Sequence, residues 1–456
     1  MSRTLSRLAW RASVAIRRED VPGHLRRLEE SQWWDAARLE EHRITALRGL
    51  LEHAARTVPA QAERFAAAAF RPGDLSRAED LRRLPVMEKD DLRRAWEDFV
   101  SREPGDRVTR DHTSGSTGHP LVYAKTRDSL AAFRAAQLRG FRWFGVDQGD
   151  RQVRLMGTAV GGGDRVREIV KDRIQNRLRM WAYDLTPDRL AAAAAAFDRF
   201  RPAFLYGYPS LLYPVAEHLR RHPEHTFQRG LRAVVSTSES LYPHRRRIME
   251  EAYRCPVVNE YGAKELGILA FECPRGGLHV TAEHFLVEVL RGDRPAPPGE
   301  LGELAVTDLT NRAMPLIRYR LGDLARLSAA PCPCGRALPL LEDLEGAVFG
   351  ILRTPDGGVV SGIILYYLAE ELILEHRSAM SQLRFVQKDL TSLDVLVARG
   401  AGFREEVLAS VEARLREYLG EGLAFRYEVV DAIPPLLSGK LRLLDSHVPL
   451  WSDGVD

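Results

Sequence analysis

The stretch from Pro187 to Gly262 alternates between helix and strand patterning, and this restricts the fold more than any other feature. Pro187 to Phe200 is an Ala-rich helical run, and PAFLYGYP (Pro202 to Pro209) follows as a strand and turn. A helix is expected from Ser210 to Arg221 and a buried strand over LRAVVSTSE (Leu231 to Glu239). A second helix then runs from Pro243 to Tyr253, before a strand over CPVVNEYG (Cys255 to Gly262). Strand–helix–strand repetition of this kind builds a mostly parallel sheet with helices on its faces. Ligands of such sheets gather at the carboxyl ends of the strands. Ser236-Thr237-Ser238-Glu239 and Glu260-Tyr261-Gly262 occupy such ends, so both segments are expected to line a site.

The rest of the chain fits around that alternation. Residues 30 to 100 read as helical, with Pro59 breaking the run, and LPVMEKDDLRRAW (Leu84 to Trp96) as an extended piece entering a short helix. Asp128 to Phe144 reads as a helix and Arg151 to Gly157 as a short strand running into Gly161-Gly162-Gly163, a turn. From Leu278 to Leu327 the pattern is β-rich, with Arg291 to Gly302 as a long hairpin connection. After about residue 345 a smaller α/β unit follows: a hairpin around Asp356-Gly357, a helix near Ile363 to Glu375, two strands, a helix from Phe403 to Leu419 and a final strand. The boundary is placed at Glu345-Gly346.

A formal charge of +3 over 456 residues, with acids interspersed among the arginines, gives no reason to expect a nucleic-acid surface. No apolar run approaches the length of a bilayer span. The basic N-terminus, MSRTLSRLAWRASVAIRRED, lacks a continuous apolar core and reads as a surface helix, with contact to a membrane surface as the lesser alternative. Four cysteines in so long a chain are too few for a disulfide framework, and the cytoplasm is the expected compartment.

Between Asp111 and Thr126 lies Thr113-Ser114-Gly115-Ser116-Thr117-Gly118, six small residues ahead of a Pro and an apolar run. Glycine lets the backbone bring its N–H groups up to an anion, and the hydroxyls add donors for phosphate oxygens. The same composition also makes an ordinary polar hairpin loop. No Gly-Lys-Ser/Thr closes the segment, so it is not a Walker loop.

Several separated pieces then fall in a familiar order: TSGSTG at 113–118, RPAFLYGYPS at 201–210, STSESL at 236–241, NEYGAKELG at 259–267, ECPRGGLH at 272–279, NRAMPLIRYRLGD at 311–323, CPCGR at 332–336 and LSGKLR at 437–442. With these the chain resembles the adenylate-forming superfamily over nearly its whole length. Within it, the similarity is to the phenylacetate–CoA ligase-like branch that includes capsular-polysaccharide-associated (CapK-type) ligases. The resemblance implies an α/β fold in two parts. Residues 1–345 would form a large N-terminal adenylate-forming domain of mixed sheets flanked by helices plus a β-rich part. Residues 346–456 would form a smaller, mobile α+β lid.

The resemblance also assigns roles. Thr113 to Gly118 would hold the ATP phosphates, with Ser238, Glu260, Tyr261 and Gly262 flanking the adenylate. Glu265 would coordinate Mg²⁺, a job for a hard oxygen ligand. Asp323 would accept from the ribose hydroxyls, and Lys440 would stabilise charge at the α-phosphate. Tyr206, Tyr208 and Ser236, with Ser238 and Gly262, are candidate walls of the acid pocket. The implied activity is ATP-dependent activation of a small carboxylic acid to an acyl-adenylate, then transfer to CoA or an amine. An adenylyltransferase without acyl transfer, or a catalytically quiet binding protein, are the alternatives. Relatives of this branch are commonly homodimers. At the hinge the family carries a Gly-Arg-x-Asp-type segment. Here Glu345 to Gly350 puts Ala347 at the arginine position and Gly350 at the acidic one.

Three of the four cysteines lie in compact loops: Cys273, six positions before His279, and Cys332 and Cys334 in PCPCGR. A Cys-x₅-His loop with a Cys-x-Cys loop gives the four ligands of a closed tetrahedral Zn²⁺ site. Members of the resembled family carry a zinc in this region, which points the same way. Cys255, in a buried strand, reads as core.

Overall fold

A computed structural model describes residues 2–113, 121–156, 164–180, 187–297, 299–345, 351–356, 359–376, 378–434 and 443–448. The chain divides into two compact units, Met1–Leu321 with Arg326–Glu342, and Gly322–Ala325 with Asp343–Asp456.

In the first unit the parallel strands are Arg177–Met180, Gln152–Leu155, Phe204–Gly207, Ala233–Thr237 and Val257–Ala263, adjacent in that order. Their residues divide by period two between the sheet's faces. Phe204, Tyr206, Ala233, Val235 and Val258 pack on one side with the helix Arg127–Trp143. Leu205, Val234 and Val257 pack on the other, against the helices Pro187–Phe200, Pro209–Arg221 and Pro243–Tyr253. Both faces are covered, so these strands carry apolar runs in place of an apolar–polar alternation. Truncating a fully buried member such as Phe197 or Leu205 to Ala costs about 2–5 kcal/mol.

Local chemistry sets the helix starts. Asp35 caps Ala36–Thr57 by accepting from Arg38 N–H, and Thr126 caps Arg127–Trp143 by accepting from Ser129 N–H. Pro59 ends the first of two successive helices and sits at the first position of the next, where its missing N–H is harmless.

The β-rich segment does not form a sheet of its own. After Val257–Ala263 the sheet turns antiparallel through Gly267–Glu272 and Leu278–Val280, and Leu340–Glu345, Tyr319–Leu327, Gly302–Asp308, Phe285–Arg291 and Arg294–Pro295 extend it to twelve strands. Hairpin connections and complementary edges let one sheet absorb both patterns, a continuity that periodicity alone does not show.

The second unit has a four-stranded sheet. Met380–Gln387 and Ser392–Arg399 are antiparallel at its centre, flanked in parallel by Leu444–Ser446 and Ala424–Val430 respectively. Leu365, Leu368 and Leu372 of the helix Gly362–Glu375 and Val411 and Leu415 of the helix Glu406–Leu419 share its core with Phe385, Val395 and Val397. Ile351–Arg353 and Val359–Ser361 pair as the expected hairpin.

Candidate active site and metal centre

The phosphate-loop candidate spans two antiparallel strands, Val108–His112 and Val122–Thr126, which end with His112 opposite Val122. Thr113 closes the base twice: its N–H donates to the Leu121 carbonyl and its Oγ1 accepts from Leu121 N–H, both at 2.9 Å. Ser114, Gly115, Ser116, Thr117 and Gly118 lie outside the described residues.

Behind the carboxyl ends of the parallel strands sits a buried polar knot. Glu260 is only 2 % exposed, and its carboxylate accepts from Tyr206 Oη (2.5 Å), Thr237 Oγ1 (3.0 Å) and Gln137 Nε2 (3.0 Å). The Arg154 guanidinium lies 4.5 Å from the Tyr206 ring centroid. Burial lifts the carboxyl of Glu260 above its ordinary range, partly offset by these donors and by Arg154. Glu260 and Tyr206 are therefore brought together, but as an internally satisfied strut. Thr237, within the strand end expected to line the site, and Gln137, which sequence reading missed, complete it; Gln137 sits mid-helix without a motif to mark it.

Ser236 is fully buried beside this knot, and its Oγ has no hydrogen-bond partner among the described residues. Ser238, just past the strand end, is held in the left-handed region at φ +66°, sparsely populated for a non-glycine residue and typical of functional turns. Glu239 reaches back to accept from Ser210 N–H and Oγ at 2.9 Å each. That places Tyr208, the residue before the helix Pro209–Arg221, beside the same strand ends.

The next strand, Val257–Ala263, bulges between Tyr261 and Gly262 before turning back at Gly267. A Cβ on Gly262 would lie 2.1 Å from the Gly267 carbonyl oxygen, so only glycine fits. Glu265 projects from this turn, largely buried, and its Oε1 accepts from Tyr319 Oη at 3.0 Å. Its Oε2 makes no hydrogen bond among the described residues. Below the turn is another residue that sequence reading passed over. Lys125, 3 % exposed, donates from Nζ to the carbonyl of Leu266. Burial lowers its ammonium pKa, opposed by the charges of Asp308 and Glu265. A lysine inside the apolar run LVYAKT was the available signal.

Asp323 is half-buried on the strand Tyr319–Leu327, within the four residues grouped with the second unit. Lys440, Ala347 and Gly350 lie outside the described residues.

The four candidate zinc ligands do converge. The ligand atoms of Cys273, His279, Cys332 and Cys334 lie within 4.8 Å of one another. Cys273 Sγ is 3.7 Å from Cys332 Sγ, and His279 Nε2 is 3.2 Å from Cys334 Sγ. A tetrahedron with Zn–S bonds of about 2.3 Å has S–S edges of about 3.8 Å, so the spacing suits that ion. His279 Nδ1 donates to the Leu338 carbonyl at 3.2 Å, leaving Nε2 as the free lone pair toward the thiols. Burial holds this imidazole down to about 4, neutral at physiological pH. Gly277 admits the approach of the two loops, since a Cβ there would sit 2.8 Å from Cys332 Sγ.

A strand pair closed by Thr113 and Leu121, a carboxylate with one oxygen unbonded among the described residues, and strained turns at the carboxyl edge of a doubly covered sheet fit a nucleotide-using α/β enzyme. Residues 74–309, just over half of the chain, match the AMP-binding enzyme family, and the chain belongs to that family. It is similar to phenylacetate-coenzyme A ligase of Pseudomonas putida, 26 % identical over 401 residues that cover 84 % of this chain and 88 % of that one. It is also similar to Protein CapK of Staphylococcus aureus, 24 % identical over 375 residues covering 81 % of each. Among solved structures, 2-hydroxyisobutyryl-CoA ligase in its postadenylation state shares the fold. The TM-score is 0.69 at 21 % identity, covering 91 % of this chain and 90 % of that one.

Proposed function

We propose that this chain is an AMP-forming acid–thiol ligase, activating a carboxylic acid with ATP and passing the acyl group to CoA. The observation that carries the reading is the turn at 263–267, where Tyr319 holds one oxygen of Glu265, Lys125 holds the Leu266 carbonyl, and the second carboxylate oxygen has no hydrogen bond among the described residues. In the first step an oxygen of the substrate carboxylate attacks the α-phosphorus of ATP in line. The bond to the bridging oxygen breaks and pyrophosphate leaves. No side-chain base is required, because the nucleophile is already an anion. In the second step the CoA thiol attacks the acyl carbonyl, losing its proton, and AMP departs.

Within this reading Thr113 to Gly118 hold the phosphates and Ser238, Tyr261 and Gly262 border the adenylate. Asp323 accepts from the ribose, and Lys440 stabilises charge at the α-phosphate. Glu265 would hold Mg²⁺, which supplies neutralisation of the polyphosphate when bound. Cys273, His279, Cys332 and Cys334 would hold a structural Zn²⁺ that staples two loops, since four protein ligands leave no open position. Tyr206, Tyr208 and Ser236 border the acid pocket, Tyr206 through the strut it makes with Glu260. The setting proposed is cytoplasmic, where ATP and CoA are supplied, and the assembly a homodimer, which light scattering checks.

The test is ATP–pyrophosphate exchange over a panel of aryl and alkyl acids, followed by CoA-dependent AMP release with the best acid. Exchange with at least one acid and a thioester product are expected. ATP binding without exchange for any acid sinks the ligase reading, and exchange with no thioester moves the acceptor away from CoA.

A further inference from the structure

The N-terminal helix Arg3–Ile16 is apolar on both sides, and only one side is covered. Its inner face is fixed. Ser6 and Val14 are buried, Trp10 packs against the core, and Ser6 Oγ donates to the Ile174 carbonyl at 2.6 Å. Arg3 pairs with Asp150 and Arg7 with Asp147, which sets the helix's rotation. Opposite that face, Leu5, Leu8, Ala12 and Ile16 fall at i, i+3, i+7 and i+11, one stripe of the helix surface. Leu5 is 57 % exposed, Leu8 56 % and Ile16 82 %.

The neighbouring helix Asp164–Ile174, joined through the Ser6–Ile174 bond, exposes Ile169 at 48 % and Val170 at 52 %. Seven large apolar side chains are exposed among the described residues of the first unit, and five are on these two helices. Scattered single exposures are ordinary; a concentration of this kind marks a docking surface.

The charges beside the stripe have one sign. Residues 1–18 contain five arginines and no acid. Arg11 and Arg18 make no ion pair among the described residues. The nearby acids are already engaged: Asp147 by Arg7 and Arg142, Asp150 by Arg3 and Arg232, Glu19 by Arg17 and Arg134. On the second helix, Glu168 pairs with Lys171 and Arg179, and Asp172 with Arg177 and Arg179. A two-fold contact between copies would bring this surface onto itself and set arginine against arginine. An anionic bilayer complements both the aliphatic stripe and the arginines.

We infer that these two helices form a docking surface for the anionic phospholipid surface of a membrane, with Leu5, Leu8 and Ile16 entering the headgroup–acyl boundary. The attachment is peripheral and reversible, since among the described residues no helix is long and apolar enough to cross a membrane.

The experiment is co-sedimentation of the full chain with phosphatidylcholine vesicles, with and without phosphatidylglycerol. Binding is expected to the anionic vesicles, weakening about tenfold without phosphatidylglycerol or at high salt. Leu5→Ser/Leu8→Ser/Ile16→Ser and Arg11→Glu/Arg18→Glu should each lose about tenfold in partitioning. Both should keep the wild-type melting transition, which removes misfolding as the cause. Absence of wild-type binding, or undiminished binding by both variants, overturns the proposal. So does a wild-type dimer that the triple serine variant converts to monomer, because the stripe is then an interface between copies.

Discussion

Replacing Lys125 by Met removes a buried ammonium while keeping most of the side-chain volume. Asp308, fully buried, accepts from Thr310 N–H and Oγ1 through Oδ1, but its Oδ2 has no hydrogen-bond partner among the described residues. Burial lifts the Asp308 carboxyl above its ordinary range, and the Lys125 charge pulls it back. Without that charge the buried carboxylate loses its longer-range compensation, and leaving such a group less compensated costs about 1–3 kcal/mol. A native pKa raised above the unfolded value means that stability is fullest below the unfolded pKa and is lost as pH rises through the native one. Lys125→Met raises it further, so the stability lost should be larger at pH 8 than at pH 5. Urea unfolding at both values, followed by fluorescence, measures this. Lys125→Met/Asp308→Asn removes both charges and should recover more than half of the loss at pH 8. An equal loss at both pH values, or no recovery in the double variant, refutes the electrostatic account and leaves Lys125 a packing residue.

Other perturbations separate the roles proposed above. Lys440→Ala should lower ATP–pyrophosphate exchange by about 10²–10³-fold, as expected for removal of a preorganised charge at a developing anion. Thioester formation from supplied acyl-adenylate should fall much less, and equal losses in both steps would assign Lys440 elsewhere. Metal analysis of the purified chain should find about one zinc per chain. Cys332→Ser should lose that zinc and at least about 2 kcal/mol of stability, read by the same unfolding curves; a metal-free wild type with an unchanged transition removes the site. Gly262→Ala forces its Cβ against the Gly267 carbonyl and should cost about 1–3 kcal/mol. It should also cut exchange, whereas full activity would mean that the turn shifts freely.

The helices and strands of residues 187–262 were legible because their signals are local. An Ala-rich run, prolines at helix starts and short apolar runs between them put Pro187–Phe200 and Pro243–Tyr253 at the bounds expected. The convergence of Cys273, His279, Cys332 and Cys334 was equally legible, since few combinations of cysteine, histidine and glycine satisfy a four-ligand spacing. Partners distant in sequence were hidden. Gln137 and Tyr319 reach Glu260 and Glu265 from elements 123 and 54 residues away; Gln137 stands in no recognisable motif, and the motif NRAMPLIRYRLGD that contains Tyr319 does not say which carboxylate its phenol meets. Nor does periodicity say that the strand Gly267–Glu272 continues the parallel sheet in antiparallel register, which is how the β-rich segment joins it.

Glu260 and Glu265 show where a motif stops being informative and packing takes over. Both belong to the single stretch NEYGAKELG, and both are carboxylates near the strand ends. Glu260 still lies in the ladder, paired with Phe271, and its side chain enters the sheet's covered face. Three donors meet it there, and burial favours its neutral form. The bulge after Tyr261 ends that alternation, so Glu265 emerges from a turn. There one phenol holds a single oxygen and a buried ammonium braces the backbone of the next residue. A carboxylate saturated by protein donors can position neighbouring groups but has little left for a cation. One bound at a single oxygen, with its backbone braced, is prepared to take one. The four residues between them thus separate a structural acid from the one proposed to hold Mg²⁺, and the glycine-only contact at Gly262 is what turns the chain from the first environment into the second.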